Sequence, residues 1–171
     1  MATTWSTQTT GFSARMLVLA GVATDRADAE QRVRAAIASG AGLERFRQII
    51  DLQGGDPRVV DDYARLPSVA GRHLVTAPRG GFVESLDAEL VGRASVVLGA
   101  GRDRVADPVD FAVGIVVMAK PGDEVRAGDP VLELHFRDRA KLDAAVALAT
   151  RAIGVGDQRP PVRPRIVGEV G

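Results

Sequence analysis

The sequence contains no cysteine and, among its 171 residues, only two histidines, His73 and His135. The first absence excludes disulfide bonds, thiolate metal sites and a cysteine nucleophile. The second leaves too few ligands for a histidine-rich metal site. Basic and acidic residues number 22 each, so the chain lacks the positive field that binds nucleic acid, and no such partner is expected.

Long apolar segments are also missing. No run approaches the roughly 18 to 20 apolar residues that cross a bilayer, and the first residues lack the basic start and apolar core of a secretory signal. We therefore expect a cytoplasmic protein without a membrane partner. Lysine is scarce as well, since Lys120 and Lys141 are the only two.

The residues that are present predict an α+β chain with one core and a helical appendage. Polar, threonine-rich residues without periodicity predict an irregular start. Apolar residues at helical spacing then predict three helices, the second capped by Thr24 or Asp25 and the third with Leu43, Phe46 and Ile49 on one face. Glycine and proline next mark a connection. The predicted segments are 1–13 (irregular), 14–55 (helical), 56–72 (linker) and 73–171 (C-terminal α+β domain).

Strand and helix signals are mixed in the C-terminal segment. Alternating apolar residues predict strands, and Asp87 and Asp138 are placed to cap two helices that end at Gly99 and Gly154. The predicted strands are "HLVTA", "GGFVESL", "FAVGIVVMA" and "VLELHF", with an edge strand in the tail "RPPVRPRIV".

Two glycine-rich motifs in this segment resemble those of lipoyl and biotinyl carrier domains. They are "APRGGFV" at 77–83 and "GDEVRAGDPVLEL" at 122–134. A carrier also needs a lysine at a hairpin tip between them, but that interval holds no lysine, and Lys120 is followed directly by Pro121. The motifs therefore predict a barrel-sandwich sheet flanked by helices, used as a scaffold. Modification of Lys120 or Lys141 would support the carrier alternative.

From about Ala14 onward, the chain closely resembles the C-terminal part of bacterial thymidine phosphorylases and the related pyrimidine-nucleoside phosphorylases. The strings that carry this resemblance are "QGGDP", "VGRASVVLGAGR", "DPVDFAVGI" and "KPGDEVRAGDP". The resemblance implies a reaction of thymidine with phosphate to give thymine and 2-deoxyribose 1-phosphate. It implies phosphate as a co-substrate and no further cofactor.

The resemblance also implies that the catalytic groups lie upstream, in a helical and an α/β lobe. None of those motifs matches a position here, so no catalytic, phosphate-binding or metal residue is assigned. The nearest phosphate candidate, "LGAGRDR" at 98–104, contains Gly99, Gly101, Arg102 and Arg104, but its glycines end a helix, where the dipole disfavours an anion.

Other polar residues have structural interpretations. Asp107, Asp110 and Asp123 adjoin glycine or proline turns, where aspartate bonds its own backbone rather than a metal. His135 alternates with Leu134 and Phe136 at a strand end and is predicted to be structural, and His73 is predicted to be exposed.

We therefore expect a non-catalytic C-terminal domain whose partners are phosphorylase catalytic lobes, in cis or in trans. The segment "TTWSTQTTGFS" fits no helix of the family kind, which suggests a truncated or frameshifted gene product. The alternative is a stand-alone interaction module that uses orphaned apolar helix faces, beginning with Met16 to Val22.

Overall fold

A computed structural model describes residues 4–102 and 104–161, with side chains from Thr10 onward. The chain divides into two compact units between Arg65 and Leu66, a position within the predicted linker. The first unit is helical and the second combines helices with strands, so the chain is α+β as predicted. Across the described residues, no helix is both long enough and apolar enough to cross a membrane.

In the described part of the first unit, three α-helices are followed by two short 3-10 turns. Asp25 caps α2 by accepting a hydrogen bond from the Asp28 N–H at 2.9 Å, as one of the two predicted alternatives requires. Gly40, with φ of 75°, provides the left-handed residue that starts α3 directly after α2. The elements are α1 (Thr4–Leu19), α2 (Arg26–Ala38), α3 (Ala41–Leu52) and the 3-10 turns Pro57–Val60 and Tyr63–Arg65.

The helix α1 begins at Thr4, so the prediction that the segment 1–13 is irregular is wrong for its described residues. Ala14 of α1 is fully buried and belongs to one small core with Ala23 and Ala29. Alanine at such a contact lets helices approach closely, and packing of this kind outweighs the low helix propensity of threonine.

The described residues of the second unit form six strands and two helices. Both sheets are antiparallel and three-stranded, with strand orders β1-β5-β3 and β4-β2-β6. The elements are β1 (Gly71–Thr76), β2 (Gly81–Leu86), α4 (Ala88–Leu98), β3 (Gly114–Val117), β4 (Glu124–Val125), β5 (Pro130–Phe136), α5 (Arg139–Arg151) and β6 (Ile153–Gly156). Neither sheet closes into a barrel within the described residues.

The main core lies in the second unit. The largest fully buried side chains are Val83 on β2 and Val131, Leu132 and Leu134 on β5. The same core includes residues from α4 and α5, so the strands and both helices share one hydrophobic cluster. Val83 and Ala77, which take part in the backbone bonds between the two glycine-rich motifs, belong to this core.

The helix caps of the second unit confirm most of the sequence-based boundaries. Asp87 accepts from the Leu90 N–H at 3.0 Å and Asp138 from the Ala140 N–H at 2.9 Å. Gly99 ends α4 with φ of 110°. The predicted end of α5 at Gly154 is wrong, because α5 ends at Arg151.

The residues after α5 form β6, which pairs with β2. At Gly154 an added Cβ would require the Ser85 side chain to shift, because it would overlap Ser85 Oγ. The strand predicted in "FAVGIVVMA" is shorter than expected and covers only Gly114–Val117. The strand predicted in the tail falls mostly outside the described residues.

Candidate functional site

The two Gly-Asp segments form turns of the same design. In the first, the Lys120 N–H donates to Asp123 Oδ2 at 2.8 Å, and the Asp123 N–H donates back to the Lys120 carbonyl at 2.9 Å. Gly122 lies between them with φ of 97°. The second turn repeats this with the Arg126 N–H on Asp129 Oδ2 at 2.8 Å, the Asp129 N–H on the Arg126 carbonyl at 3.0 Å, and Gly128 at φ of 88°.

Each turn is bound to the other glycine-rich motif by a reciprocal pair of backbone bonds. Gly122 N–H donates to the Val83 carbonyl at 2.8 Å, and Val83 N–H donates to the Asp123 carbonyl at 2.9 Å.

The second turn has the equivalent pair. Gly128 N–H donates to the Ala77 carbonyl at 2.9 Å, and Ala77 N–H donates to the Asp129 carbonyl at 2.8 Å. The motifs "APRGGFV" and "GDEVRAGDPVLEL" are therefore the two halves of one hydrogen-bonded scaffold.

Lys120 occupies the first position of a turn that is bonded to β2, and it does not lie at the tip of a hairpin between the two motifs. The interval between β2 and β3 contains α4 instead. Lys141 lies in the first half of α5. This placement matches the scaffold interpretation of the two motifs better than the carrier alternative.

The first two residues of the predicted phosphate candidate, Leu98 and Gly99, line an open cleft, whereas Arg102 and Arg104 are not among its lining residues. The cleft has a volume of about 530 Å³ and is lined by Gly99, Asp110, Arg137, Asp138 and Lys141, among others. Arg137 Nε lies 2.9 Å from Asp110 Oδ2, a pairing that links residues far apart in the sequence and that no local pattern indicates. The lining therefore contains two cations and two carboxylates, of which Arg137 and Asp110 form an ion pair.

The described backbone and side-chain groups of "LGAGRDR" bond to nearby residues. Gly99 accepts from the Asp110 N–H at 2.9 Å through its carbonyl, so this end of α4 presents acceptors. Arg102 Nη1 is 3.5 Å from the Val105 carbonyl, and the Arg104 N–H donates to Asp107 Oδ2 at 2.8 Å. Bound acceptors and locally bonded arginines do not form a cradle of donors for phosphate.

The three aspartates considered as metal ligands each bond the nearby backbone, which confirms the turn interpretation. Asp107 accepts from Arg104 and Asp123 from Lys120, as described above. Asp110 Oδ1 accepts from the Ala112 N–H at 3.0 Å. Across the part of the chain that the structure describes, histidine, aspartate and glutamate form no cluster of three that could hold a metal ion.

His135 lies on β5 and forms a pair with a carboxylate. Its Nε2 is 2.6 Å from Glu133 Oε1, and Arg72 Nη1 on β1 is 3.6 Å from the same oxygen. The arrangement satisfies the histidine within the sheet. His73 is half-buried opposite Leu134 in the sheet, so the prediction that it is exposed is wrong.

A network of ion pairs fixes the "QGGDP" segment next to α3. Arg47 contacts Asp61 through two nitrogens, at 2.6 and 3.0 Å. Asp56 caps the first 3-10 turn and accepts from the side chains of Arg58 and Arg65. Hydrogen bonds from Arg58 hold the pKa of Asp56 well below its usual range, and the Arg47 guanidinium lowers the pKa of Asp61.

The first unit also has a large exposed apolar surface. On α3, Leu43, Phe46 and Ile49 are 54%, 55% and 43% exposed, and none of the described side chains of this helix is buried. An apolar groove of about 490 Å³, lined mainly by α1, α2 and the turn between them, includes Met16 and Ile37. The helices therefore form with their apolar faces largely uncovered, as predicted for Met16 to Val22.

The described residues thus make an α+β scaffold domain joined to a helical unit with uncovered apolar faces. Residues 82–156 match the family described as pyrimidine nucleoside phosphorylase C-terminal domain. Residues 82–156 therefore carry a pyrimidine nucleoside phosphorylase C-terminal domain.

Curated relatives extend this match over most of the chain. The chain is 36% identical to a thymidine phosphorylase of Burkholderia orbicola (strain MC0-3) over 163 residues, which are 94% of this chain and 37% of the relative. It is 36% identical to a pyrimidine-nucleoside phosphorylase of Bacillus subtilis (strain 168) over 136 residues, which are 80% of this chain and 31% of that relative. The chain therefore spans about a third of the length of these relatives.

The extent of the first match also bears on the N-terminal segment. The match covers 94% of the chain, so the unmatched residues are fewer than the 13 residues of the segment 1–13. The similarity therefore reaches into the segment that was predicted to depart from the family, in agreement with the helix α1.

Proposed function

We propose that this chain supplies the C-terminal structural domain of a pyrimidine-nucleoside phosphorylase and depends on other lobes for phosphorolysis. The uncovered apolar surface of the first unit carries this proposal. A helix such as α3, with three large apolar side chains about half exposed, gains stability when a partner removes that surface from water. The unmatched two thirds of the relatives' length would supply the partner, either in cis or in trans.

The reaction proposed for the assembled enzyme is thymidine plus phosphate to thymine plus 2-deoxyribose 1-phosphate. It needs a preorganised set of donors for phosphate and for the charge on the departing base. Among the described residues, Arg137 and Lys141 are cations that line the cleft, together with the carboxylates Asp110 and Asp138, and Arg137 is already paired with Asp110. This balance of charge supports a role without direct contact to phosphate.

The structural role that we propose is to brace the catalytic lobes while their cleft opens and closes. A brace must be rigid, and the paired backbone bonds at Val83 and Ala77 make the second unit resistant to bending. We propose that this unit is a barrel-sandwich scaffold. We also propose that the enzyme works in the cytoplasm, because disulfides are rare there and this chain has no cysteine with which to form one.

Complementation tests the proposal. The Burkholderia orbicola relative, shortened by the region that matches this chain, would be mixed with the purified chain, and thymine release followed with and without phosphate. The shortened relative mixed with its own C-terminal region is the positive control.

We expect no turnover from either part alone and phosphate-dependent turnover from the mixture. Turnover by this chain alone would place a catalytic site in it and overturn the proposal. No gain from this chain, when the positive control is active, would count against partnership in trans.

The same apolar surface supports a second candidate, a stand-alone module that binds a protein partner through the first unit. Two measurements test this candidate: size-exclusion chromatography with light scattering, and the binding of a hydrophobic dye. A monodisperse monomer that binds no dye would contradict this candidate.

A further inference from the structure

We draw no further inference here: the strongest candidate, the cleft between the C terminus of α4 and the N terminus of α5, sets Arg137 and Lys141 against Asp110 and Asp138, and nothing in the structure shows what would fill it.

Discussion

At the scale of single residues, Gly128 holds the second Gly-Asp turn in a conformation that other residues adopt at a cost. Its φ is 88°, and an added Cβ would meet no atom within 4 Å, so the effect of substitution comes from the backbone alone. We expect Gly128→Ala to lower the free energy of unfolding by about 1 kcal/mol. Urea unfolding followed by circular dichroism measures the change.

Gly92 provides the matched control. It lies within α4 on the exposed side, and an added Cβ would again meet nothing within 4 Å. Because its φ is not positive, Gly92→Ala should raise stability by about 0.5–1 kcal/mol. Equal effects of the two substitutions would show that the turn does not constrain Gly128 as described.

Asp56 gives a prediction that depends on pH. Its pKa lies below the usual value of 3.8 because of the hydrogen bonds from Arg58, so the unfolded chain takes up a proton at higher pH than the folded one. Its contribution to stability is therefore complete above the unfolded pKa and is lost as the pH falls through the folded pKa.

Titration of Asp56 by NMR checks this. In Arg58→Gln we expect the titration midpoint to move upward, towards 3.8. Arg34→Gln, which alters an ion pair on α2, should leave the midpoint of Asp56 in place. An unchanged midpoint in Arg58→Gln would contradict the role given to Arg58.

At the scale of whole elements, the apolar face of α3 should matter for partnership and little for the isolated chain. Phe46→Ser removes a side chain that is 55% exposed, so the free energy of unfolding should change by no more than about 0.5 kcal/mol. Dye binding should fall, and so should the turnover recovered on mixing with the shortened relative.

A polar residue of the same helix supplies the comparison. Gln48→Ala leaves Leu43, Phe46 and Ile49 in place and should preserve both dye binding and complementation. If the two variants lose complementation equally, the apolar face of α3 is not the surface that the partner covers.

Some structural elements could be predicted from the sequence more fully than others. The caps at Asp87 and Asp138 and the turns at Asp107 and Asp123 were predictable, because each is a side-chain bond to a backbone N–H within three residues. Such bonds depend on local sequence only.

The errors concern elements that depend on distant partners. Helix α1 forms from threonine-rich sequence because Ala14 packs with Ala23 and Ala29. Strand β6 contains two glycines and is defined by its pairing with β2. The contact of Asp110 with Arg137 likewise joins distant segments. None of these leaves a periodic signal in its own residues.

At the scale of the whole molecule, the described residues form two hydrophobic clusters with no residue in common, one around Ala14 and one around Leu132 and Leu134. Substitutions at sites with no shared packing partner usually have independent effects. Leu134→Ala should therefore lower the free energy of unfolding of the second unit by about 2–5 kcal/mol. The protection of α1 and α2 against hydrogen exchange should not change.

Ala14→Leu is the reciprocal variant. The fully buried alanine leaves no room for a larger side chain, and we expect a loss of about 1–3 kcal/mol confined to the first unit. Hydrogen exchange measured by mass spectrometry resolves the two units separately. If either variant exchanges hydrogen faster in both units, the two cores unfold together. If the faster exchange is confined to the unit that carries the substitution, each core is stabilised by its own contacts.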